Sequence, residues 1–398
     1  MTIAQLAERR AESIAPADLL KAAQSFVPRI RERAPAMNAA GRLDDELIDD
    51  LDRAGLYSIF VPQRFGGSGG VPADANPIIE LIGNADPSTA WVSSFFMLHN
   101  LVLCRFPMQA QEELYRDTAS VRAAAVWGPP GKVERAPGGY RISGRWGYAS
   151  GIYHASHALV PAMLEGVLYW FVAPKTAMTI VDDWDMTAMS ATGSATIVID
   201  DLFLPDHMGY PVADLLSADR HGGTGHPETA YSYPFAAFRL VTPSLTVGAL
   251  DRAVELFREK LHSSKPQGIA RLERGTARVR WVEAYETARV IRILRDVSQR
   301  ELTDFYDRGE PQTLEAEANL GLHSLRIIQS AMQAVRTLVD GSGSSVYNRK
   351  EELRKIATDI SMMATHALFS DYDLVIDRHA RWVLGMGLSA DDPQVRLS

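Results

Sequence analysis

The spacing of hydrophobic positions changes twice along the chain and divides it into three regions. Up to residue 118 apolar residues recur every three to four positions, for example at Leu47 and Leu51, as on the buried face of a helix. From there to 210 they form short runs bounded by turn residues, which is typical of strands. The helical spacing then returns. We therefore predict a helical domain at 1–118, a β domain at 119–210 and a helical bundle at 211–398.

Start and stop signals bound several of the helices. Asp86 followed by Pro87 suits a helix start, because Asp caps free N–H groups and Pro fits the first turn. Residues 88–106 are apolar nearly all round, which predicts a helix buried within the molecule. In the last region we predict amphipathic helices at 236–261, 273–307, 313–340, 351–369 and 372–384.

The middle region is predicted to be a small β-barrel or sandwich. Turn residues at 137–139 and at Ser143-Gly144 separate its strands. The strands are expected at 121–126, 140–142, 146–149, 158–162, 168–173, 180–181 and 196–203. The fold class is therefore mainly α with a central β unit.

Composition narrows the functions that such a fold could serve. The chain has 398 residues and a formal net charge of −8, and it contains no basic block, which argues against a nucleic-acid or membrane-surface partner. Its single cysteine, Cys104, excludes an intrachain disulfide and suits a reducing compartment. No signal-peptide core and no apolar run of membrane-spanning length occurs, so we expect a cytoplasmic protein.

Four strings of the sequence resemble the acyl-CoA dehydrogenase fold family. Residues 46–70 are similar to its opening helix and glycine-rich turn, and 86–91 (DPSTAW) to the start of its buried helix. Residues 139–156 (GYRISGRWGYASGIYHAS) resemble the stretch in which a strand meets the flavin, although Trp146 replaces a lysine of that pattern. Residues 184–205 (WDMTAMSATGSATIVIDDLFLP) are similar to its later counterpart. The resemblance implies an N-terminal helical domain, a middle β-barrel or sandwich and a C-terminal four-helix bundle.

Two departures from the dehydrogenases favour the family's flavin-dependent monooxygenase branch. Where dehydrogenases hold a neighbouring subunit's FAD diphosphate with an arginine motif, residues 260–264 read KLHSS, and only Lys260 could play the cationic part. After the glycine- and serine-rich loop at 341–345, the next helix offers His366 and no carboxylate within one turn of it. An acyl-CoA dehydrogenase needs a base there to remove an α-proton, and it usually has glutamate. That enzyme is therefore the less favoured alternative.

The resemblance implies the oxygenase component of a two-component monooxygenase that hydroxylates a small aromatic substrate, phenolic or indolic. Reduced FMN or FAD and O2 would form a C4a-hydroperoxyflavin in a dry pocket, without a metal. No GxGxxG motif follows a strand, so reduced flavin must diffuse from a separate NAD(P)H:flavin reductase. Relatives of this kind are homotetramers. N- or S-oxygenation and a non-catalytic flavin-binding protein stay open as alternatives.

Three candidate catalytic residues follow from the resemblance. Ser150 would hydrogen-bond the flavin N5, although it could instead satisfy only its own turn. His366, on the helix after the glycine- and serine-rich loop, would bond the peroxide or act as a base towards the substrate. His99 would face the substrate pocket, and its alternative is a core histidine bonded to the backbone.

Other residues are candidates for cofactor binding or for lining the pocket. The cofactor-binding candidates are Trp127, Trp184, Thr192, Ser194, Arg239 and Lys260. The two tryptophans could instead pack within the β unit, and the two cations could lie on the surface. An aromatic substrate is favoured by the aromatic and apolar residues expected around the pocket, namely Trp91, Phe95, Phe96, Met97, Trp127 and Tyr148. His154 and His157 have the spacing of metal ligands, but no third ligand forms a motif with them.

Overall fold

The structure is a computed structural model that describes residues 14–310, 314–366, 369 and 372–387, without the side chains of 314–318, 320 and 372. The chain divides into two compact units, Met1–Phe238 and Arg239–Ser398. The first contains helices followed by two sheets, and the second is helical. The predicted fold class, mainly α with a central β unit, is confirmed.

From residue 14 on, the first unit begins with five helices: α1 (Pro16–Ala40), α2 (Asp45–Arg53), α3 (Pro72–Ala85), α4 (Pro87–Leu103) and α5 (Met108–Leu114). Helix α4 starts as predicted, because the Asp86 carboxylate accepts a hydrogen bond from the Thr89 N–H at 2.8 Å and Pro87 occupies the first turn. Every residue of α4 except Phe95 is buried, which confirms its predicted place inside the molecule. It ends at Leu103, before the predicted 106, because the Arg105 N–H donates to Val102 in a tighter turn.

Two four-stranded sheets follow, with strands β1 (Ala123–Ala125), β2 (Lys132–Ala136), β3 (Gly139–Trp146), β4 (His157–Leu164), β5 (Val167–Pro174), β6 (Thr179–Val181), β7 (Thr196–Pro205) and β8 (Gly209–Pro211). One sheet has the order β1-β4-β5-β8, with β1 parallel to β4, and the other has the antiparallel order β2-β3-β7-β6. Their inner faces meet where Tyr140 packs edge-on against Phe171 at 5.1 Å. Strand β2 was not predicted.

Strand β3 corrects two sequence predictions. The turn expected at Ser143-Gly144 is wrong, because β3 continues through it with a shift of register between Ile142 and Gly144. A Cβ at Gly144 would lie 2.5 Å from Cζ2 of Trp146, so glycine there lets the indole fold over the strand. The strand predicted at 146–149 is also wrong, since the chain leaves the sheet after Trp146 and Tyr148 takes a positive φ of 62°.

A buried arginine holds the connection after β8 against the end of α4. The Arg105 side chain is fully buried and donates to the carbonyl groups of Leu215, Ser217, Ala230 and Tyr233, at 2.7–3.5 Å. Burial lowers the pKa of Arg105 to about 10. Because a buried cation is costly without hydrogen-bond partners, the four carbonyls fix the path of the connection.

The described part of the second unit is a bundle of five helices: α7 (Ser244–Ser263), α8 (Gly275–Asp307), α9 (Leu314–Ser342), α10 (Glu352–Ala364) and α11 (Tyr372–Val383). A short helix of the first unit, α6 (Val212–Leu216), precedes them. The other four bundle helices all contact α9. The helix predicted from 236 starts only at Ser244, because 235–238 form a separate 3-10 turn. Within the described residues, no helix has the length and apolar character needed to cross a membrane.

Candidate active site

Helix α4 carries an aromatic stripe, which we define as Trp91, Phe95 and His99. Trp91 packs edge-on against Phe95 with ring centroids 4.7 Å apart, and Phe95 stacks on His99 at 5.4 Å with 11° between the ring planes. Steps of four residues put the three rings in line, so the stripe extends about 12 Å along the helix. Phe96 and Met97, which we expected near the pocket, are fully buried in the core instead.

At its Trp91 end the stripe meets a row of hydroxyl groups. The Trp91 indole N–H donates to Ser150 Oγ at 3.2 Å, and Ser150 Oγ lies 2.8 Å from Ser194 Oγ. Ser194 Oγ lies 2.7 Å from Thr192 Oγ1, which donates to the Met189 carbonyl at 2.8 Å. Ser194 and Thr192 are buried, whereas Ser150 is half-buried. The structure therefore brings together three predicted cofactor-binding residues, and we call Ser150, Ser194 and Thr192 the hydroxyl row.

Local backbone geometry holds the two loops of the hydroxyl row together. The Gly151 N–H donates to the Thr192 carbonyl at 2.9 Å. Gly151 has a φ of 74°, and a Cβ there would lie 2.7 Å from Cγ1 of Val92. Glycine is therefore required both for its conformation and for the close approach to α4. Tyr148 and Met189 also have positive φ although they are not glycines, and such backbone strain is concentrated at functional sites.

His99 combines the two roles that we considered for it. Its Nδ1–H donates to the Ala123 carbonyl at 2.6 Å, which assigns the neutral tautomer with a lone pair on Nε2. Burial lowers the pKa of His99 to about 4, so the ring is neutral near pH 7. Nε2 has no hydrogen-bond partner among the described residues. His99 is thus anchored to the backbone and still offers an acceptor.

Two predicted tryptophans flank these groups in different ways. The Trp184 indole N–H donates to the Ser190 carbonyl at 3.0 Å, and its ring packs edge-on against Tyr148 at 5.7 Å. Tyr148 is largely exposed and lies two residues before Ser150. Trp127 packs edge-on against Trp170 at 4.5 Å and is 41% exposed. Both tryptophans therefore pack within the β unit and also present ring surface to the outside.

In the second unit, His366 lies beyond the end of α10 rather than on the helix as predicted. The helix stops because the Thr365 hydroxyl donates to the Met362 carbonyl at 2.7 Å and the His366 N–H donates to Met363 at 3.0 Å. The His366 ring lies 6.2 Å from that of Phe369. Burial lowers the pKa of His366 to about 4, so this ring is also neutral near pH 7.

The two candidate cations of the second unit have different surroundings. Lys260 Nζ lies 3.5 Å from the Glu351 carboxylate, and the side chain is mostly buried. Arg239 is exposed, and its guanidinium lies beside Gly321 of α9, 3.2 Å from where a Cβ would be. Their assignment to the flavin stays a prediction.

The paired histidines of the first unit have separate partners. His154 Nδ1 lies 2.9 Å from the Asp45 carboxylate, whereas His157 Nδ1 lies 3.0 Å from the Ser156 hydroxyl. In the part of the chain that the structure describes, no group of three or more histidine, cysteine or acidic side chains could hold a metal ion.

Two hydrogen-bonding features of the site were not predicted from the sequence. The prediction placed Trp91 in the pocket without its hydrogen bond to Ser150, and it did not include the Met189 carbonyl. The four-residue spacing of Trp91, Phe95 and His99 was a signal for the stripe. Nothing in the sequence indicates that a backbone carbonyl ends the hydroxyl row.

Comparison with known proteins connects this geometry to one group of enzymes. Residues 17–118 match the family "Acyl-CoA dehydrogenase, N-terminal domain". The chain is 29% identical to pigment production hydroxylase of Rhodococcus sp. (strain ATCC 21145), over 94% of this chain and 97% of that protein. It is 25% identical to the p-hydroxyphenylacetate 3-hydroxylase oxygenase component of Acinetobacter baumannii, over 92% and 89% of the two chains. The crystallised XiaF of Streptomyces sp., in complex with FADH2 and glycerol, has the same fold, with a TM-score of 0.86, 22% identity and coverage of 96% and 98%.

The lowered pKa of His99 predicts how stability depends on pH. The folded chain binds fewer protons than the unfolded chain between pH 6.5 and about 4, so the free energy of unfolding falls as the pH falls through that window. His99→Asn keeps a donor for the Ala123 carbonyl and removes the titrating ring. We expect this variant to lose about 1–2 kcal/mol less than the unaltered protein between pH 7.5 and 5 in urea unfolding. If both proteins lose the same free energy of unfolding, the lowered pKa of His99 would be contradicted.

Proposed function

We propose that this homologue of flavin-dependent oxygenase components, built on the acyl-CoA dehydrogenase fold, is the oxygenase component of a two-component monooxygenase that hydroxylates a small phenolic or indolic substrate. One observation carries the proposal: the Trp91–Ser150 hydrogen bond joins the hydroxyl row to the aromatic stripe, and the stripe ends at His99, whose Nε2 is an open acceptor. The hydroxyl row suits a flavin, and the aromatic stripe with His99 suits an aromatic substrate that bears a hydrogen-bond donor.

The residues at Ser150 fit an isoalloxazine ring. Ser150 offers a half-buried oxygen to the flavin N5, and the buried Ser194 and Thr192 hold that oxygen in place. Tyr148 and Trp184 supply ring surface beside it. When bound, the reduced flavin, FADH2 or FMNH2, supplies the electrons that activate O2.

Other cofactor contacts are proposed on the resemblance alone. Trp127 would line the flavin pocket, Arg239 would lie near the ring's negative end and Lys260 would bind a phosphate. Lys260 would then share its charge between that phosphate and Glu351.

His99 and Phe95 account for the substrate. A phenolic O–H or an indolic N–H can donate a hydrogen bond to Nε2 of His99, which is neutral at working pH and can hold the ring in place while it is oxygenated. Phe95, the one residue of α4 that is not buried, offers partly exposed ring surface against which an aromatic ring can pack. His366 is proposed, from the resemblance and its neutral ring, as a base or as a second hydrogen-bonding group.

The reduced flavin is proposed to arrive from a separate NAD(P)H:flavin reductase by diffusion. The sequence has no GxGxxG motif of a nicotinamide-binding unit, and a relative reported above is itself named as an oxygenase component. A supply of NAD(P)H-derived reduced flavin also suits the cytoplasm as the proposed location.

Oxygen labelling tests the proposal most simply. We expect the protein, reduced FAD or FMN and ¹⁸O2 to insert one labelled oxygen into p-hydroxyphenylacetate, indole-3-acetate or a related aromatic acid. His99→Leu should lower product formed per flavin oxidised by about a hundredfold, because the substrate loses its hydrogen-bond acceptor. His207→Leu, at a histidine that lies 3.0 Å from the Glu113 carboxylate and outside the stripe and the row, is the matched control and should leave the yield unchanged.

The alternatives give other results in the same assay. Hydrogen peroxide alone across a broad panel of phenols and indoles would contradict aromatic hydroxylation. Label on nitrogen or sulfur would indicate N- or S-oxygenation. Bleaching of oxidised FAD by an acyl-CoA without O2 would indicate a dehydrogenase.

We further propose that the protein assembles as a homotetramer through α8. One face of this helix is buried in the bundle, and the opposite face exposes an apolar stripe, which we call the outer stripe: Val279, Val282, Val290, Ile293 and Val297. Its members follow one another after three, four or eight residues, which keeps them on one face of the helix, as in helices that pack against one another. A cavity of about 440 Å³ lined by Leu261, Trp281 and Val282 continues it. So much exposed apolar surface on one helix suits a second copy of the chain.

Charge in the outer stripe should therefore break the assembly. We expect Ile293→Asp to lower the mass measured by light scattering from four chains to one or two, since the carboxylate would be buried unpaired. Ser361→Asp, on the exposed face of α10, adds the same charge elsewhere and should leave the mass unchanged. An unaltered protein that is monomeric at micromolar concentration would contradict the proposal.

A further inference from the structure

The hydroxyl row has only one possible direction for its hydrogen bonds. The Met189 carbonyl can only accept, so the single hydroxyl proton of Thr192 is committed to it. In the contact of 2.7 Å between Thr192 and Ser194, Ser194 must then be the donor. The proton of Ser194 is thereby used, and in the contact of 2.8 Å with Ser150 the donor must be Ser150. Every proton of the row points away from Ser150 towards Met189.

At the other end, Trp91 adds a second constraint on Ser150. An indole N–H can only donate, so Ser150 Oγ accepts from Trp91 at 3.2 Å. Ser150 Oγ thus has its proton directed to Ser194 and one lone pair occupied by Trp91. The position left to it is a lone pair, and a ligand that meets Ser150 must bring a donor.

The two redox states of a flavin differ in whether N5 can donate a hydrogen bond. Reduced flavin carries a hydrogen on N5 and can donate, whereas oxidised flavin has a bare N5 that can only accept. An acceptor placed against the lone pair of Ser150 would leave two polar groups without a proton between them, which is costly in a partly dry site.

We infer that the row from Ser150 through Ser194 and Thr192 to Met189 makes the site select reduced over oxidised flavin by fixing the direction of the Ser150 hydroxyl. The inference rests on the proposed function for the place of N5 beside Ser150. Ser194 and Thr192 are positioning residues, because they act through Ser150 and need not touch the flavin. The consequence is that spent, oxidised flavin leaves and reduced flavin replaces it.

The row predicts opposite results for changes at its two ends. Thr192→Val keeps the shape of the side chain and removes the acceptor of the Ser194 proton, so the row can reverse and Ser150 can donate to a bare N5. Trp91→Phe removes a donor to Ser150 and leaves the direction set by Met189. The first change should weaken the preference for reduced flavin, and the second should retain it.

Equilibrium binding of FAD and FMN tests this without catalysis. The full-length protein is titrated with oxidised flavin, and with dithionite-reduced flavin under anaerobic conditions, and the ratio of the two Kd values is compared among variants. We expect a preference for reduced flavin in the unaltered protein, and a loss of about tenfold in that preference in Thr192→Val. For a two-electron couple, that loss lowers the midpoint potential of the bound flavin by about 30 mV. Thr192→Ser, which keeps the hydroxyl, is the matched control and should retain the preference.

The outcomes separate this inference from the proposed function. If Ser150→Ala leaves both Kd values unchanged, N5 does not meet Ser150 and the proposed flavin site is wrong. If Ser150→Ala changes the ratio but Thr192→Val and Ser194→Ala do not, the flavin site stands and the directional row is overturned. Loss of the preference in Trp91→Phe but not in Thr192→Val would also overturn it. Ser194→Ala, which interrupts the same row, decides the matter if Thr192→Val does not fold.

Discussion

The polarity of the hydroxyl row depends on one hydrogen bond, from the Thr192 hydroxyl to the Met189 carbonyl. It is buried, and its direction cannot be reversed, because a carbonyl has no proton to give. From that fixed end the protons of Ser194 and Ser150 follow by exclusion, without any charge in the row. A short run of neutral hydroxyls thus gives the site a defined polarity. The direction of the row does not depend on pH, since hydroxyl groups of serine and threonine do not titrate near neutral pH.

The remainder of the first unit places this row against α4. Helix α4 is buried on nearly every side, so its aromatic stripe has little freedom to shift relative to the sheets. Gly151 allows the Ser150 turn to approach that helix closely, and Arg105 fixes the connection at the helix end through four carbonyls. Both His99 and Arg105 are thus titratable groups in a dry interior that donate to backbone oxygens rather than to opposite charges. Such a site has strong hydrogen bonds and few free charges, which suits chemistry that water would interrupt.

The sequence predicted more of the architecture than of the geometry at the site. Periodicity predicted the order of helices, strands and helices and the capped start of α4 at Asp86, because helix and strand spacing and capping are local properties. It failed at Gly144, where a glycine that usually marks a turn instead makes room for the Trp146 ring across the strand. It also failed at His366, since the helical pattern continues past Ala364 while the Thr365 hydroxyl ends the helix. The resemblance supplied Ser150, Thr192 and Ser194 as candidates, but their mutual hydrogen bonds come from two loops distant in sequence.

The most direct measurement is a crystal structure of the protein with reduced FAD, prepared and frozen without oxygen. We expect N5 of the flavin to lie within hydrogen-bond distance of Ser150 Oγ, about 3 Å. We also expect the contacts from Ser150 to Ser194 and Thr192 to be kept, and Nε2 of His99 to face the space beside the ring. A flavin bound elsewhere in the first unit, or one whose N5 meets a different group, would contradict the proposal that the hydroxyl row presents Ser150 to N5.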